Sequence, residues 1–238
     1  MSSLYLIRHG QAGLRHEYDR LSALGRTQAR LLGEYLAAQK VQFGAVYSGA
    51  LNRQLETARE ALSAFARAGV AVPEIQVDRR WNEFDLDAVY GAVAPRLRDD
   101  DPQFRVEYEM LQRMLADDDS PVHRSWTHCD TLVVRAWVEK RYDVPGESWE
   151  AFGRRVRGSM EVLRECPVNE PVAIFSSATP IAHLIGMALG LNGQHVLRLA
   201  GVTYNTALTT MRIRGEELML FSFNGTAHLP EAPLRTFR

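Results

Sequence analysis

Residues 4–7, Leu-Tyr-Leu-Ile, are apolar without alternation and stop at once on Arg8, His9 and Gly10. A run of this kind suits a strand buried on both faces of a parallel sheet, because a strand with one wet face would alternate. Parallel strands need long crossovers, usually helices, and the following sequence supplies them. From about Ser22 to Ala38, Leu24, Gln28, Leu31, Leu32, Tyr35 and Leu36 lay a largely apolar stripe at helical spacing, with Ser22 able to cap its start. "FGAVYS" reads as a second strand, Leu51, Leu55, Ala58, Leu62 and Phe65 as a second helix, and Ile75 and Val77 as a short third strand. This βαβα alternation predicts a parallel sheet with right-handed crossovers.

Between about 86 and 144 the character changes. Two triple-aspartate runs, Asp99 to Asp101 and Asp117 to Asp119, read as solvated loop ends and helix starts. They bracket one helix carrying Phe104, Tyr108, Leu111, Met114 and Leu115, in what reads as a helical insertion over the loop edge of the sheet. A further helix carries Trp149, Phe152, Val156, Met160 and Leu163, with Ser148 as its cap. "PVAIFSS" is the next buried strand. A helix then starts with Pro180 at its first position behind Thr179 and closes at Gly190. "TYNTALTTMRIRGEELMLFSFN" holds two strand-like runs around a polar turn, an antiparallel hairpin at a sheet edge. The expected architecture is a single α/β domain over residues 1–238. It has three α/β/α layers, a mostly parallel central sheet, an antiparallel edge hairpin and the cap-like insertion.

Composition narrows the function classes. With 28 basic against 29 acidic side chains, the 238-residue chain lacks the basic excess that nucleic-acid binding usually demands. No apolar run is long enough to span a bilayer. The two cysteines, Cys129 and Cys166, and the absence of an apolar N-terminal signal point to a reduced, cytoplasmic setting. His123, His128, Cys129 and Asp130 are metal-ligand types whose spacing fits no common zinc pattern, and no cofactor is called for. Oligomeric state is not legible.

In an open α/β sheet, ligands bind outside the carboxyl ends of the strands. The polar residues there are Arg8 and His9, Ser48 and Arg53, Glu83 and Asp85, and Ser176, Ser177 and Thr179. Arginine forks grip phosphate oxygens, a histidine can attack phosphorus, and a carboxylic acid can protonate the departing oxygen. The set therefore suits a phosphate ester. The structural alternatives are that Arg8 and Arg53 pair with Glu83 or Asp85, and that Ser177 caps the helix behind it. Asp85 and Asp87 also stand close enough in sequence to compete with Glu83 as the acid.

"LIRHGQA" carries the signature of the histidine phosphatase superfamily, with its phosphoglycerate mutase-like fold. "LSALGRTQARLLGEYLA", "YSGALNRQLETA", "RWNEFD", "PGESWEAFGRRV" and "FNGTAHL" resemble further segments of that family, so the likeness spans nearly the whole chain. The resemblance implies a phosphohistidine formed on His9, a phosphate pocket holding Arg8, Arg53, Gln11, Arg15 and Ser177, and Glu83 as proton donor. It also implies a structural role for Asn224 and His228. Two positions depart from the family pattern: Ser177 stands where a second catalytic histidine is usual, and Arg15 where an asparagine is usual. Three functions follow as expectations: a phosphoric monoester hydrolase, slowed by the absent histidine; a phosphate- or phosphopeptide-binding module that has lost turnover; and a phosphoglycerate mutase. The partner is a small phosphorylated substrate or a phosphoprotein. In this family the insertion largely shapes the choice, and here it offers Trp126, Trp137, Arg96, Arg98, Arg105 and Arg135.

Overall fold

The computed structural model describes residues 2–164, 170–214 and 217–238, without the side chains of Ser2 and 162–164. Cys166, the Leu163 side chain, and Gly215 and Glu216 of the expected polar turn lie outside the described residues. In chain order the elements are β1 (Ser2–Arg8), α1 (Ala23–Ala38), β2 (Ala45–Ser48), α2 (Asn52–Arg67), β3 (Ile75–Val77), α3 (Leu86–Asp100) and α4 (Pro102–Leu115). There follow α5 (His128–Val138), α6 (Trp149–Gly158), β4 (Val172–Ser176), α7 (Ala178–Leu189), α8 (Gly193–Val202), β5 (Leu208–Arg214) and β6 (Glu217–Gly225).

The chain divides into two compact units, Met1–Glu83 with Arg155–Phe237, and Phe84–Arg154 with Arg238. The first holds a six-stranded sheet in the order β3-β2-β4-β1-β5-β6. β3, β2, β4 and β1 are parallel, and β5 runs antiparallel to both β1 and β6. β1 and β4 lie mid-sheet, which is why their residues are apolar on both faces. Ile7, Val46, Ala173 and Phe175 meet Leu32 and Leu36 of α1 and Ala58, Leu62 and Phe65 of α2 in one core. Leu4, Leu6, Val172 and Ile174 on the opposite face are equally sealed. α7, which contacts β1, matches that face with buried Ile181, Leu184 and Ile185.

Ser22 caps α1, its Oγ accepting from the Gly25 N–H at 3.0 Å. Ser148 likewise accepts from the Ala151 N–H at 3.2 Å at the start of α6. That helix gives way to a tighter 3₁₀ turn at Ser159–Arg164, short of the full length the periodicity predicts. α7 begins at Ala178, two residues before the expected start. Pro180 still falls in the first turn, where no intrahelical acceptor exists for the N–H it lacks. Gly190 ends the helix at φ 67° as expected. α8, capped by Asn192, was not anticipated.

The second unit contains three helices, α3, α4 and α5, where the pattern suggested one, together with the start of α6. Of the Asp99 to Asp101 run, Asp101 does start a helix, capping α4 by accepting from the Gln103 and Phe104 N–H groups, whereas Asp99 and Asp100 finish α3 rather than lie in a loop. Trp137 is core here, with ring centroids 4.7 Å from Phe84 and 5.4 Å from Trp149. Arg135 pairs with Glu139, Arg98 with Asp99, and Arg96 and Arg105 donate to backbone carbonyls, whereas Trp126 is half exposed. His123, His128 and Asp130 are engaged separately, with the Asp117 carbonyl, with Glu107 and with the Thr127 cap. Among the described residues no His, Cys, Asp or Glu side chains gather as a metal would require, and no helix is long and apolar enough to cross a membrane.

Candidate active site

The carboxyl ends of β1, β2 and β4 finish at Arg8, Ser48 and Ser176, and the chain beyond each builds one buried polar cluster. The His9 N–H continues the ladder to the Ser176 carbonyl at 2.9 Å, so the imidazole is carried on backbone locked into the sheet. Gly10 turns directly over the first turn of α1. A Cβ on Gly10 would lie 2.5 Å from the Gly25 carbonyl oxygen, and one on Gly25 would collide with that of Gln11. Two glycines facing each other are what allow this approach.

His9 is 2% exposed. Its Nδ1 lies 2.8 Å from the Gly10 carbonyl, which can only accept, so Nδ1 carries the proton and Nε2 the lone pair. Arg53 Nε donates to that Nε2 at 3.3 Å. Burial, then the charges of Arg53 and Arg8, hold the imidazole well below its ordinary pKa of 6.5. At neutral pH the group is therefore an uncharged base with Nε2 turned toward a guanidinium.

Arg53 stands at the start of α2, whose first N–H groups are met by Asp19 from the β1–α1 loop at 3.1 and 3.5 Å. The same carboxylate accepts from Arg53 Nη1 at 2.8 Å. Its partner is thus neither Glu83 nor Asp85, which corrects the pairing offered as an alternative. Arg8 is sunk deeper: Nη1 donates to the Thr203 carbonyl, Nη2 to that of Phe237 at 2.5 Å, and the buried Nε–H has no acceptor among the described residues. Burial depresses its pKa, opposed by Tyr18 and Glu83, which favour its charge.

Glu83 is half-buried and its Oε2 accepts from the Thr179 N–H at 3.2 Å, in the first turn of α7. Asp85 caps α3 through the Ala88 N–H, and Asp87 is exposed in the first turn of that helix. Ser177, 1% exposed, occupies the cap position of α7 without capping; its Oγ accepts from Gln54 Nε2 at 2.8 Å. The capping alternative for Ser177 is thereby removed. The Gln11 side-chain carbonyl accepts from the Ser22 hydroxyl at 2.8 Å, and Arg15 opens a 3₁₀ turn, half-buried, in the same loop.

Four contributors escaped the sequence reading. Tyr18 and Asp19 are two. The others are Asn205 and Thr206, whose side-chain Nδ2–H and backbone N–H both donate to the His9 carbonyl at 3.2 Å. Thr206 is β-branched yet has φ 55°, a conformation that costs about 1–3 kcal/mol and persists only when its surroundings over-determine it. The expected strand over this stretch therefore begins only at Leu208.

The Thr206 hydroxyl meets His228 Nε2 at 2.9 Å, and burial lowers the His228 pKa from 6.5 to about 4. The folded state keeps this ring neutral where the unfolded chain takes up a proton. Stability should be unaffected above pH 6.5 and fall progressively toward pH 4, by about 3 kcal/mol in all from this group. Urea unfolding at pH 7.5 and 5 should show about 2 kcal/mol of that loss, and His228→Gln should make it smaller.

The carboxyl ends of the parallel strands thus bring together a neutral, buried histidine and two arginines on one α/β sheet. The sequence profile of the Histidine phosphatase superfamily (branch 1) matches residues 4–120 and 130–226, and the chain belongs to that family. It is similar to the serine/threonine-protein phosphatase Pgam5, mitochondrial, of Caenorhabditis elegans, at 28% identity over 162 residues, 62% of this chain and 52% of that protein. The Caenorhabditis briggsae counterpart matches at 26% over 62% of this chain and 53% of its own length, so the chain spans about half the length of the curated relatives it matches. Among solved structures, Bacillus stearothermophilus YhfR superposes with a TM-score of 0.67 at 20% identity, over 96% of this chain and 99% of that one. Mycobacterial glucosyl-3-phosphoglycerate phosphatase with inorganic phosphate gives 0.59 at 22%, over 95% and 99%. These two likenesses establish the fold.

Proposed function

We propose that the protein is a phosphoric monoester hydrolase that works through a phosphohistidine on His9. The observation that carries this reading is the tautomer: Nδ1–H is spent on the Gly10 carbonyl, leaving Nε2 as an uncharged nucleophile flanked by Arg53 and Arg8. Nε2 attacks phosphorus, the ester P–O bond breaks, and Glu83 gives its proton to the departing oxygen. Water then attacks the phosphohistidine, the P–N bond breaks, and Glu83 recovers a proton from the water. Arg8 and Arg53 stabilise the charge on the transferring phosphoryl group, with Gln11, Arg15 and Ser177 as further contacts. Family membership supports phosphatase chemistry in general. The substrate class, a small phosphate ester or a phosphoprotein, and a cytoplasmic setting are parts of this proposal, as is the role of 86–144 as a cap that shapes substrate choice. The C. elegans relative is named as a protein phosphatase, which favours testing a phosphopeptide beside an aryl phosphate.

A second reading, a phosphate- or phosphopeptide-binding module, draws on Ser177. Its hydroxyl accepts from Gln54 and has one neutral O–H to donate, so it cannot replace a cationic donor at full strength. Alkaline quench of a ³²P-labelled aryl phosphate separates the two. Hydrolysis predicts protein-bound label that survives alkali and is lost in acid, followed by steady release of phosphate. Saturable phosphate binding with neither label nor product would leave the binding module standing.

A further inference from the structure

Gln54 follows Arg53 in the first turn of α2 and is fully buried. Its side-chain amide faces two backbone groups that can each play one part only. The Leu51 N–H can only donate and meets Oε1 at 3.4 Å; the Trp81 carbonyl can only accept and meets Nε2 at 3.2 Å. Together they fix which end of the amide is oxygen and which is nitrogen. Nε2 also reaches the Ser177 Oγ at 2.8 Å, so Ser177 is the acceptor in that bond.

The consequence falls on the Ser177 proton. The hydroxyl is sealed from solvent, it does not cap α7, Gln54 fills its acceptor side, and its proton meets no acceptor among the described residues. A buried hydroxyl donates where an acceptor is offered, and an entering phosphoryl oxygen offers one. The two residues that share the bond are each one position from a group that touches His9. Ser177 follows Ser176, whose carbonyl takes the His9 N–H, and Gln54 follows Arg53, whose Nε–H meets His9 Nε2.

We propose that Gln54 is a positioning residue: by donating to Ser177 Oγ it turns the hydroxyl proton toward the transferring phosphoryl group and makes Ser177 a neutral donor of the phosphate site. This role rests on the phosphate-site reading above, and the test separates the two. For the full chain, kcat/KM with an aryl phosphate and inhibition by orthovanadate are measured in wild type, Gln54→Met, Ser177→Ala and the double variant. Ser177→Ala should lower kcat/KM about ten- to a hundredfold, as loss of one preorganised donor does. Gln54→Met, of similar length but without a donor, should cost about five- to tenfold, because the hydroxyl stays but is no longer aimed. Once Ser177 is alanine there is nothing left to aim, and Gln54→Met should change kcat/KM by less than about twofold. A merely structural role would cost the same factor in both backgrounds; that additivity, or a Ser177→Ala protein with the wild-type rate, overturns the role of Gln54 while the phosphate site survives. If wild type neither binds orthovanadate nor turns substrate over, both readings fall. A second measurement leaves Gln54 in place. Saturation with inorganic phosphate should shift the Gln54 side-chain amide signal in the NMR spectrum of wild type, as the chain of bonds polarises, and leave it unmoved in Ser177→Ala. Should Gln54→Met not fold, this decides, and no shift in wild type overturns the proposal.

Discussion

Replacing His9 by alanine is expected to lower kcat/KM toward an aryl phosphate by about five to six orders of magnitude, the scale on which deletion of a covalent nucleophile registers. The two arginines remain and continue to bind anions, since Arg53 keeps its ion pair with Asp19 and Arg8 its two carbonyls. Binding should therefore outlast turnover. The same group fixes a pH response. Burial and the two guanidinium charges hold His9 well below 6.5, and in the proposed mechanism the neutral form is the one that attacks. As pH falls through 6.5 the nucleophile stays unprotonated, so kcat/KM should lack an acid limb centred there. The phosphate ester's own second ionisation, near pH 6, has to be factored out first. A His9→Ala protein that keeps more than about 1% of the wild-type rate, far above the residual expected once the nucleophile is gone, would remove His9 from the chemistry.

Why some of this site can be read from sequence and some cannot follows from where each residue's partner lies. The unbroken apolar run before Arg8 announces a strand buried on both faces, and β1 lies between β4 and β5 for that reason. Ser22 as a helix cap is legible because cap and helix are three residues apart. Arg8 is different. It is easily placed at a strand end, but its acceptors are backbone carbonyls of Thr203 and Phe237, some two hundred residues on, and a carbonyl is the same on every residue. Asp19 is hidden in another way: it meets Arg53 across 34 residues by closure of a loop whose shape no periodicity encodes. Thr206 runs against the local signal outright. Its β-branched side chain reads as strand, and the bonds around Asn205, His228 and His9 hold it at positive φ instead. The aspartate triplet at 99–101 is legible only at Asp101 for a related reason, because a helix end, a cap and a solvated loop use the same residue.

Arg53→Ala carries the second large effect, about a thousandfold in kcat/KM. Loss of a preorganised donor to developing charge costs a hundred- to a thousandfold, and a guanidinium supplies more than one charge-assisted bond. Arg53 also has a second task, visible in its Nε–H pointing at His9 Nε2. That bond occupies the lone pair required for attack, so an entering phosphoryl group must take the Arg53 N–H before the imidazole is free. The charge of Arg53 is, after burial, the next cause of the depressed His9 pKa. Its removal leaves a histidine that is less encumbered but easier to protonate, and the acid limb of kcat/KM should move up toward 6.5. Arg53→Lys separates the two tasks, since lysine keeps the positive charge and loses the planar fork. It should preserve the depressed pKa of His9 while still costing most of the rate. Phosphate inhibition and the pH profile of the two variants, measured side by side, test this. If Arg53→Ala binds phosphate like wild type and its acid limb does not move, Arg53 belongs to the scaffold of α2 and Asp19 rather than to the phosphate site.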